Sequence, residues 1–388
     1  MGKRLAIWGA LLLAAATTTA DARTWYVRKD GTGDYTVIQD AVDHAAAGDT
    51  VRIGPGRYEE KRPYTSYPSG KNAAWTFDVY VAVTVSSLTI IGSGAGQTII
   101  GPPSRIWVDP AEPKVICALS RVTSLVVEDL SMENVYNGAY RSEGGTLAIR
   151  RCSTLGCHAG VVTWSDQGTT VEDCNFQDID YGVLSWSPSH SLLIAQCSFM
   201  NCGAMIDGTT GAVLSDCTIS GGPVCCQYAN ASTGTIANCT FTNATNVAVV
   251  VTTGSTVELN DSQLLCGKVN LKVKSWSHVA GSGNELSGGE TASLDVWTST
   301  TVTMHNSHIL HGTGPSVNLY NYPNEPAMVL DLTGNYWGTP DPNQVAEWIW
   351  DGNDDPSIKA FVQYLPMSGG PIATETKSWG EVKTLYGR

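Results

Sequence analysis

The stretch Thr169-Thr170-Val171-Glu172-Asp173-Cys174-Asn175-Phe176 decides the fold, because its pattern returns along most of the chain. Alternating residues lead to an anchor position, here Cys174, and an apolar residue follows two positions later. The same anchor position is held by Leu130, Cys152, Cys197, Cys217, Cys239, Ser262, Asn284, Ser307 and Asn335. Successive anchors are 22, 22, 23, 20, 22, 23, 22, 23 and 28 residues apart. A repeat near 22 residues with short period-2 apolar runs predicts one superhelical coil per repeat.

Stacked coils bury a face that no single coil can bury alone, and at a strand spacing of ~4.8 Å they build one continuous core. The sequence therefore predicts an all-β, single-domain right-handed parallel β-helix of about ten coils over residues 23–366. A long loop is expected at 61–77, and a linker with a short tail at 367–388.

Short helices are expected to cap both ends of the rod. Ile38, Ala41 and Val42 recur at helical spacing before the first coil. Near the other end, Asp341 and Pro342 suit an N-cap and a first helical position. Such caps cover the exposed strand edges and core of an open-ended rod.

The chain has eleven cysteines, and five of them occupy anchor positions one coil apart. Equivalent positions of stacked coils lie above one another, so these five predict a ladder. The simplest interpretation is a column of small apolar core residues. Disulfides between adjacent coils and a ladder of metal-binding thiolates are the alternatives.

Residues 1–22 have the features of a secretory signal peptide. Lys3 and Arg4 precede an apolar run, and Ala20-Asp21-Ala22 provides a small-x-small cleavage pattern. We expect the mature chain to be secreted, to the extracellular space or the periplasm. No later stretch reaches the ~20 apolar residues of a membrane span, so no membrane insertion is expected.

The charge balance argues against polyanionic partners. The net charge is −13, and removal of residues 1–22 leaves 21 basic and 35 acidic side chains, about −14. Such a field repels phosphates and anionic membranes, so nucleic acid is not an expected partner. The expected state is a monomer.

Two segments carry a resemblance to a known family. The run from Tyr26 to Val42, with Gly48-Asp49-Thr50-Val51-Arg52-Ile53, resembles the opening segment of the pectate-lyase-like β-helix superfamily. It is similar to pectin methylesterases and to bacterial secreted repeat proteins. Gly334-Asn335-Tyr336-Trp337-Gly338-Thr339 resembles the closing segment of the latter. The resemblance covers residues 24–366 and implies the fold.

The active-site motifs of the enzymes in this superfamily are missing. The Asp-Phe-x-x-Gly and Leu-Gly-Arg-Pro-Trp motifs of pectin methylesterases do not occur, nor do the pectate-lyase and polygalacturonase signatures. The resemblance therefore implies no particular activity, because one fold supports many functions.

Candidate binding residues lie on the strand that follows each anchor by about ten residues. Trp164 and Trp186 are 22 residues apart, one coil, and are expected to stack and to face outward, since two indoles would crowd a narrow core. With Tyr228 they predict an aromatic strip for sugar rings, and Asp207 lies nearby.

Lys272 and Lys274 are the candidate catalytic residues. They are expected on one face of a strand, where they form a positive spot suited to a uronate carboxylate. A lyase needs a base that removes the proton alpha to that carboxylate, with a cation to stabilise the charge. Solvated lysines that improve solubility are the alternative. A hydrolase would instead need two carboxylates, for which Asp166 and Asp207 are candidates.

Two functions follow from these residues. The favoured one is a non-catalytic protein that binds polysaccharide or forms an extracellular component, because the known signatures are missing. The other is a polysaccharide lyase that acts on an acidic, uronate-containing glycan. Neither requires a cofactor or a metal site, although a lyase would be compatible with calcium.

Overall fold

The structure is a computed structural model that describes residues 22–66, 75–105, 114–118, 122–141, 144–164, 167–186, 191–265, 267–321 and 325–372. Nearly all of the predicted signal peptide, most of the predicted tail, and Asp166 lie outside these residues. Within them, no helix is long and apolar enough to cross a membrane.

The strands of the described residues form three long sheets, which are parallel apart from one edge strand. Sheet A has the strands Thr24–Val27, Thr50–Ile53, Ser87–Ile91, Ser124–Glu128, Thr146–Arg150, Gly168–Glu172, Ser191–Ala195, Ala212–Ser215, Thr233–Ala237, Thr256–Asn260, His278–Ser282, Thr301–His305, Met328–Asp331 and Ala360–Gln363. Sheet B has Gly56–Tyr58, Thr98–Ile100, Ser131–Glu133, Ser153–Leu155, Asn175–Gln177, Ser198–Met200, Thr218–Ser220, Thr240–Thr242, Gln263–Leu265, Glu285–Ser287 and His308–Ile309. Sheet C has Arg62–Ser66, Trp75–Val83, Lys114–Ala118, Asn137–Arg141, Ala159–Trp164, Tyr181–Trp186, Gly203–Asp207, Val224–Ala229, Val247–Val251, Val269–Val273, Ala292–Trp297, Val317–Tyr320 and Ile349–Trp350.

Each regular coil adds one strand to sheet A, then one to sheet B, then one to sheet C. Ile149 pairs with Val171, and Val171 pairs with Ile194, so the predicted repeat is the register of the sheets. The predicted parallel β-helix is confirmed. It has about 12 turns rather than ten, because strands before the first anchor also stack on the rod.

The bend from sheet A to sheet B depends on the residue that precedes each anchor. This residue has a left-handed backbone, with φ of 57° at Asp129, 52° at Asp173 and 53° at Asn238. Asp and Asn tolerate this conformation better than most residues, because their short side chains bond to nearby backbone. Their recurrence explains why each coil turns at the same point.

The anchors themselves line the core. Cys152, Cys174 and Cys197 are each 3% exposed, and the Cys174 thiol donates weakly to the carbonyls of Ile149 and Glu172 at 3.6 and 3.2 Å. All cysteines whose side chains the structure describes are buried free thiols. The ladder is therefore a core feature, as predicted. Burial within the ladder raises the pKa of the Cys152 thiol.

Both predicted caps are confirmed. Helix α1, Ile38–His44, buries Ile38, Ala41 and Val42 against the first strands. Helix α2, Pro342–Glu347, begins after Asp341, whose carboxylate accepts a hydrogen bond from the Asn343 N–H at 2.9 Å.

Where the structure describes the predicted loop at 61–77, its residues from Arg62 onward belong to two antiparallel strands, which we call the hairpin. Arg62–Ser66 pairs with Trp75–Val83 at the N-terminal edge of sheet C. The ring of Tyr64 packs against Phe77 with centroids 6.0 Å apart. The hairpin lengthens the coil between Thr50–Ile53 and Ser87–Ile91, so this coil departs from the 22-residue spacing.

Candidate functional site

The outer face of sheet C exposes two indoles in register. Trp164 pairs with Trp186, and their side chains are 44% and 38% exposed. Their ring centroids are 5.4 Å apart at 70°, an edge-to-face contact rather than a parallel stack. The outward orientation is confirmed, and it follows from the period-2 alternation of a strand, since Thr163 and Ser185 are buried. We call Trp164 and Trp186 the N-terminal platform.

An apolar floor lies beside the N-terminal platform. Val162 and Leu184 are outward-facing, yet each is only 2% exposed, because neighbouring rings cover them. Tyr140, Tyr181 and Met205 pack against this floor. The outer face of sheet C therefore carries a small apolar cluster of its own, separate from the core.

The floor and the N-terminal platform belong to one groove of about 560 Å³. Five successive strands of sheet C and the residues just before two of them form its walls. The lining residues are Thr76, Phe77, Lys114, Tyr136, Asn137, Tyr140, His158, Val162, Trp164, Leu184 and Trp186. The hairpin thus supplies one end of the groove through Thr76 and Phe77. We call this feature the sheet C groove.

A buried cation lies at the hairpin end of the sheet C groove. Lys114 is 8% exposed, and its Nζ lies 4.3 Å from the centroid of Phe77 and 5.3 Å from that of Tyr140. Ring faces carry negative potential, so they stabilise an ammonium held at these distances. The groove combines aromatic surface with one positive charge, although the protein as a whole is acidic.

An imidazole is held at the side of the sheet C groove. His158 Nδ1 lies 2.7 Å from Asp180 Oδ2, and its ring stacks on Tyr136 at 4.5 Å and 23°. A carboxylate at Nδ1 fixes the orientation of the ring and its tautomer. The pair can therefore take part in proton transfer on a molecule bound in the groove.

Tyr136, His158 and Asp180 occupy equivalent positions of three successive coils, at intervals of 22 residues. None of these three residues, nor Lys114, is among the residues predicted from the sequence, although the 22-residue interval that relates the two indoles also relates the Tyr-His-Asp column. The sequence does not single out Lys114, because the residues before it do not follow the 22-residue repeat.

Asp207 follows Trp186 in the register, as expected from its sequence position. It is half-buried, and its Oδ1 accepts a hydrogen bond from Asn230 Nδ2 at 2.7 Å. It adjoins the N-terminal platform but does not line the sheet C groove. Its predicted role in binding stays a prediction.

The placement predicted for Tyr228 is wrong. Its side chain is fully buried, and its hydroxyl donates to the Ala212 carbonyl at 3.3 Å. Tyr228 pairs with Ile206, whereas the next residue, Ala229, pairs with Asp207. A shift of one residue turns a side chain to the opposite face, so Ala229 takes the outward place and Tyr228 fills the core.

Lys272 lies in the strand Val269–Val273 and Lys274 directly follows it, on either side of the buried Val273 and outside the sheet C groove. Lys272 Nζ is 2.7 Å from Asp295 Oδ2 and 4.8 Å from the centroid of Trp297. Asp295 is 4% exposed, so Lys272 compensates a buried carboxylate. Four register steps of ~4.8 Å, about 19 Å, separate this strand from that of Trp186. The catalytic role stays a prediction, and the ion pair gives Lys272 a structural one.

A second depression of about 490 Å³ lies where sheet B turns into sheet C, and it has a different character. Its lining includes Ala244, Gly267, Gly288 and the oppositely charged Lys268 and Glu290, with no aromatic ring. No cluster of three or more metal-binding side chains occurs in the described part of the chain. The sheet C groove is therefore the candidate site.

Comparison with known proteins supports the fold. Residues 159–309 match the family described as "Right handed beta helix region". This match agrees with the sheet topology, which is that of a right-handed parallel β-helix. The matched segment begins at the strand that carries Trp164.

Solved structures of low sequence identity are similar to this β-helix. The A-module of the mannuronan C-5 epimerase AlgE4 from Azotobacter vinelandii is 11% identical, covering 88% of this chain and 95% of that one, with a TM-score of 0.44. Pectate lyase Pel9A is 10% identical, covering 91% and 82%, with a TM-score of 0.36. Tailspike protein 3 of bacteriophage CBA120 is 12% identical, covering 87% and 59%, also with a TM-score of 0.36. No curated protein matches the sequence.

Proposed function

We propose that the protein binds an extended polysaccharide in the sheet C groove, with sugar rings packed on Trp164 and Trp186. The observation that carries the proposal is the pair of exposed indoles in register beside an apolar floor. Indoles give large rigid contact area and keep an N–H for hydrogen bonding, which suits the mixed apolar and polar faces of a sugar. Convergent aromatic and polar groups in one concave site are typical of ligand binding.

The location and exposure of the indoles support this function over a purely structural role. A fold with an ample core has no need to leave two indoles about two-fifths exposed beside each other. We also propose that the protein is exported, on the basis of residues 1–22. Export would bring it to polysaccharides that lie outside the cytoplasm.

The test is retention on insoluble cellulose, chitin and xylan and on immobilised polygalacturonate and alginate. The double variant Trp164→Ala/Trp186→Ala should lose retention of the polysaccharide that the unaltered protein binds, by roughly tenfold or more. Tyr26→Ala is the matched control, because Tyr26 is also 44% exposed but lies on sheet A. Retention on no polysaccharide, or equal retention of all three proteins, would contradict the proposal.

A second candidate function is cleavage of a uronate polysaccharide by β-elimination, favoured by Lys114 and His158, which both line the groove, and by Asp180, which holds His158. Here His158 removes the proton alpha to the uronate carboxylate while Lys114 stabilises the negative charge. The C4–O bond then breaks, a C4=C5 double bond forms, and the departing oxygen takes the proton that His158 removed from C5.

This candidate is tested by ultraviolet absorbance of unsaturated products from polygalacturonate and alginate, with and without calcium. Product formation that His158→Gln abolishes and that His278→Ala, on sheet A, retains would support cleavage. If no uronate polysaccharide gives product, the lyase function is excluded and the binding function is unaffected.

A further inference from the structure

A second pair of aromatic side chains lies on the outer face of sheet C, far along the rod from the sheet C groove. Trp297 pairs with Tyr320, and their ring centroids are 4.9 Å apart at 39°. Tyr320 is 46% exposed and Trp297 is half-buried. We call these two residues the C-terminal platform. Neither residue is among the binding residues predicted from the sequence.

The C-terminal platform and the N-terminal platform occupy one register column. Trp186 pairs with Asp207, and Asp207 pairs with Ala229. In the following coils, the inward-facing residue just before each column position pairs with the equivalent residue of the next coil. Thr252, Lys274 and Trp297, each one position further on, therefore belong to the same column. The column is Trp164, Trp186, Asp207, Ala229, Thr252, Lys274, Trp297 and Tyr320.

The ring of Trp297 is held by a buried polar network. Its Nε1 donates to Asp295 Oδ1 at 3.0 Å, and the other oxygen of Asp295 is paired with Lys272. Asn318 Nδ2 donates to Asp295 Oδ1 at 3.3 Å. A buried carboxylate is costly to keep, and here its contacts fix an indole at the surface. A ring whose orientation is fixed before binding loses little entropy when a ligand packs on it.

Four residues of the column lie between the two platforms. Ala229 and Thr252 are the middle two, and both are short and nearly buried. Five register steps of ~4.8 Å separate Trp186 from Trp297, a distance of about 24 Å. The other two column positions between the platforms are held by the half-buried polar side chains of Asp207 and Lys274. A linear chain that lies parallel to the rod axis therefore meets no further ring before the second platform and can reach both platforms at once.

We propose that the C-terminal platform is a second sugar-binding site for the same polysaccharide chain that occupies the sheet C groove. This inference rests on the proposed function. Simultaneous contact at both platforms makes the second binding event intramolecular, so affinity rises once the ligand is long enough to span them. The protein thereby selects long chains over short fragments.

The experiment measures the affinity of oligosaccharides of four and of twelve residues, prepared from whichever polysaccharide of the panel is retained. The unaltered protein should bind the twelve-residue oligomer more tightly, by roughly tenfold or more. Tyr320→Ala, which removes an exposed ring, should weaken binding of the long oligomer by a similar factor and leave the short one within twofold. Trp297→Ala should act in the same direction.

Trp164→Ala serves as the comparison, since it should weaken both oligomers. Equal affinity for both lengths, or unchanged long-oligomer binding in both the Tyr320→Ala and Trp297→Ala variants, would overturn the second site. If Trp164→Ala affects binding while these two variants do not, the groove proposal stands and only the second site fails. If none of the three affects binding, both proposals fail.

Discussion

On the inner face of sheet C Tyr228 is fully buried, whereas on the outer face Trp164 and Trp186 expose 44% and 38% of their surface. Ala229, the residue directly after Tyr228, shares the register column of the two indoles. A step of one residue therefore separates the buried ring from the outward position. The inner face excludes water and supplies stability. The outer face presents rings to solvent. A substitution of Tyr228 should therefore alter stability, and one of the two indoles should alter binding.

The largest expected effect is on the inner face. Tyr228→Ala leaves a cavity in a close-packed core and should lower the free energy of unfolding by about 3–5 kcal/mol. Trp164→Ala should cost about 1 kcal/mol or less, because much of the indole already contacts water. Denaturant unfolding followed by circular dichroism measures both. Comparable losses in the two variants would contradict the assignment of the two faces.

Lys272 provides a smaller contrast within the outer face itself. Lys272→Ala leaves the buried Asp295 carboxylate without its cation and should lower the free energy of unfolding by about 2–3 kcal/mol. Lys274→Ala is the matched control, with an expected change within about 0.5 kcal/mol. The same denaturant experiment applies. Equal effects of the two substitutions would show that the Asp295 pair contributes nothing specific.

The cysteine ladder gives a chemical measure of inner-face burial. Burial raises the pKa of Cys152 and Cys217, so both stay protonated at pH 8, and solvent cannot reach them. Iodoacetamide should leave both thiols unmodified in the folded protein and modify them in denaturant, as read by mass spectrometry of peptides. Rapid modification of Cys217 under native conditions would show that the ladder is accessible.

The repeat predicts positions that keep a constant distance from an anchor. Trp164 and Trp186 both stand 12 residues after their anchors, Cys152 and Cys174, and the structure aligns them. Counting 12 residues from Cys217 gives Ala229, so the error at Tyr228 came from an approximate offset. Asp207 stands only 10 residues after Cys197, yet it also belongs to the column. The turn between sheets B and C varies in length, and only the backbone register resolves that variation.

The remainder of the candidate site was not predictable from the repeat. Phe77 enters the sheet C groove from a hairpin that lies outside the regular coils, and Lys114 follows a segment with no anchor pattern. Their proximity to Tyr140 is a long-range contact that periodicity does not encode. The fold was therefore predictable in nearly all its coils, whereas the groove was predictable only along its indole column.

The central claim, that polysaccharide binds at the sheet C groove, is tested most directly by hydroxyl-radical footprinting of the full chain. The oxidation of each tryptophan is measured by mass spectrometry with and without the retained polysaccharide. Trp276 is the internal control, because it is 64% exposed and lies in a turn away from the groove. Trp164 and Trp186 should become protected while oxidation of Trp276 is unchanged. Bound polysaccharide that leaves Trp164 and Trp186 as reactive as before would contradict the account.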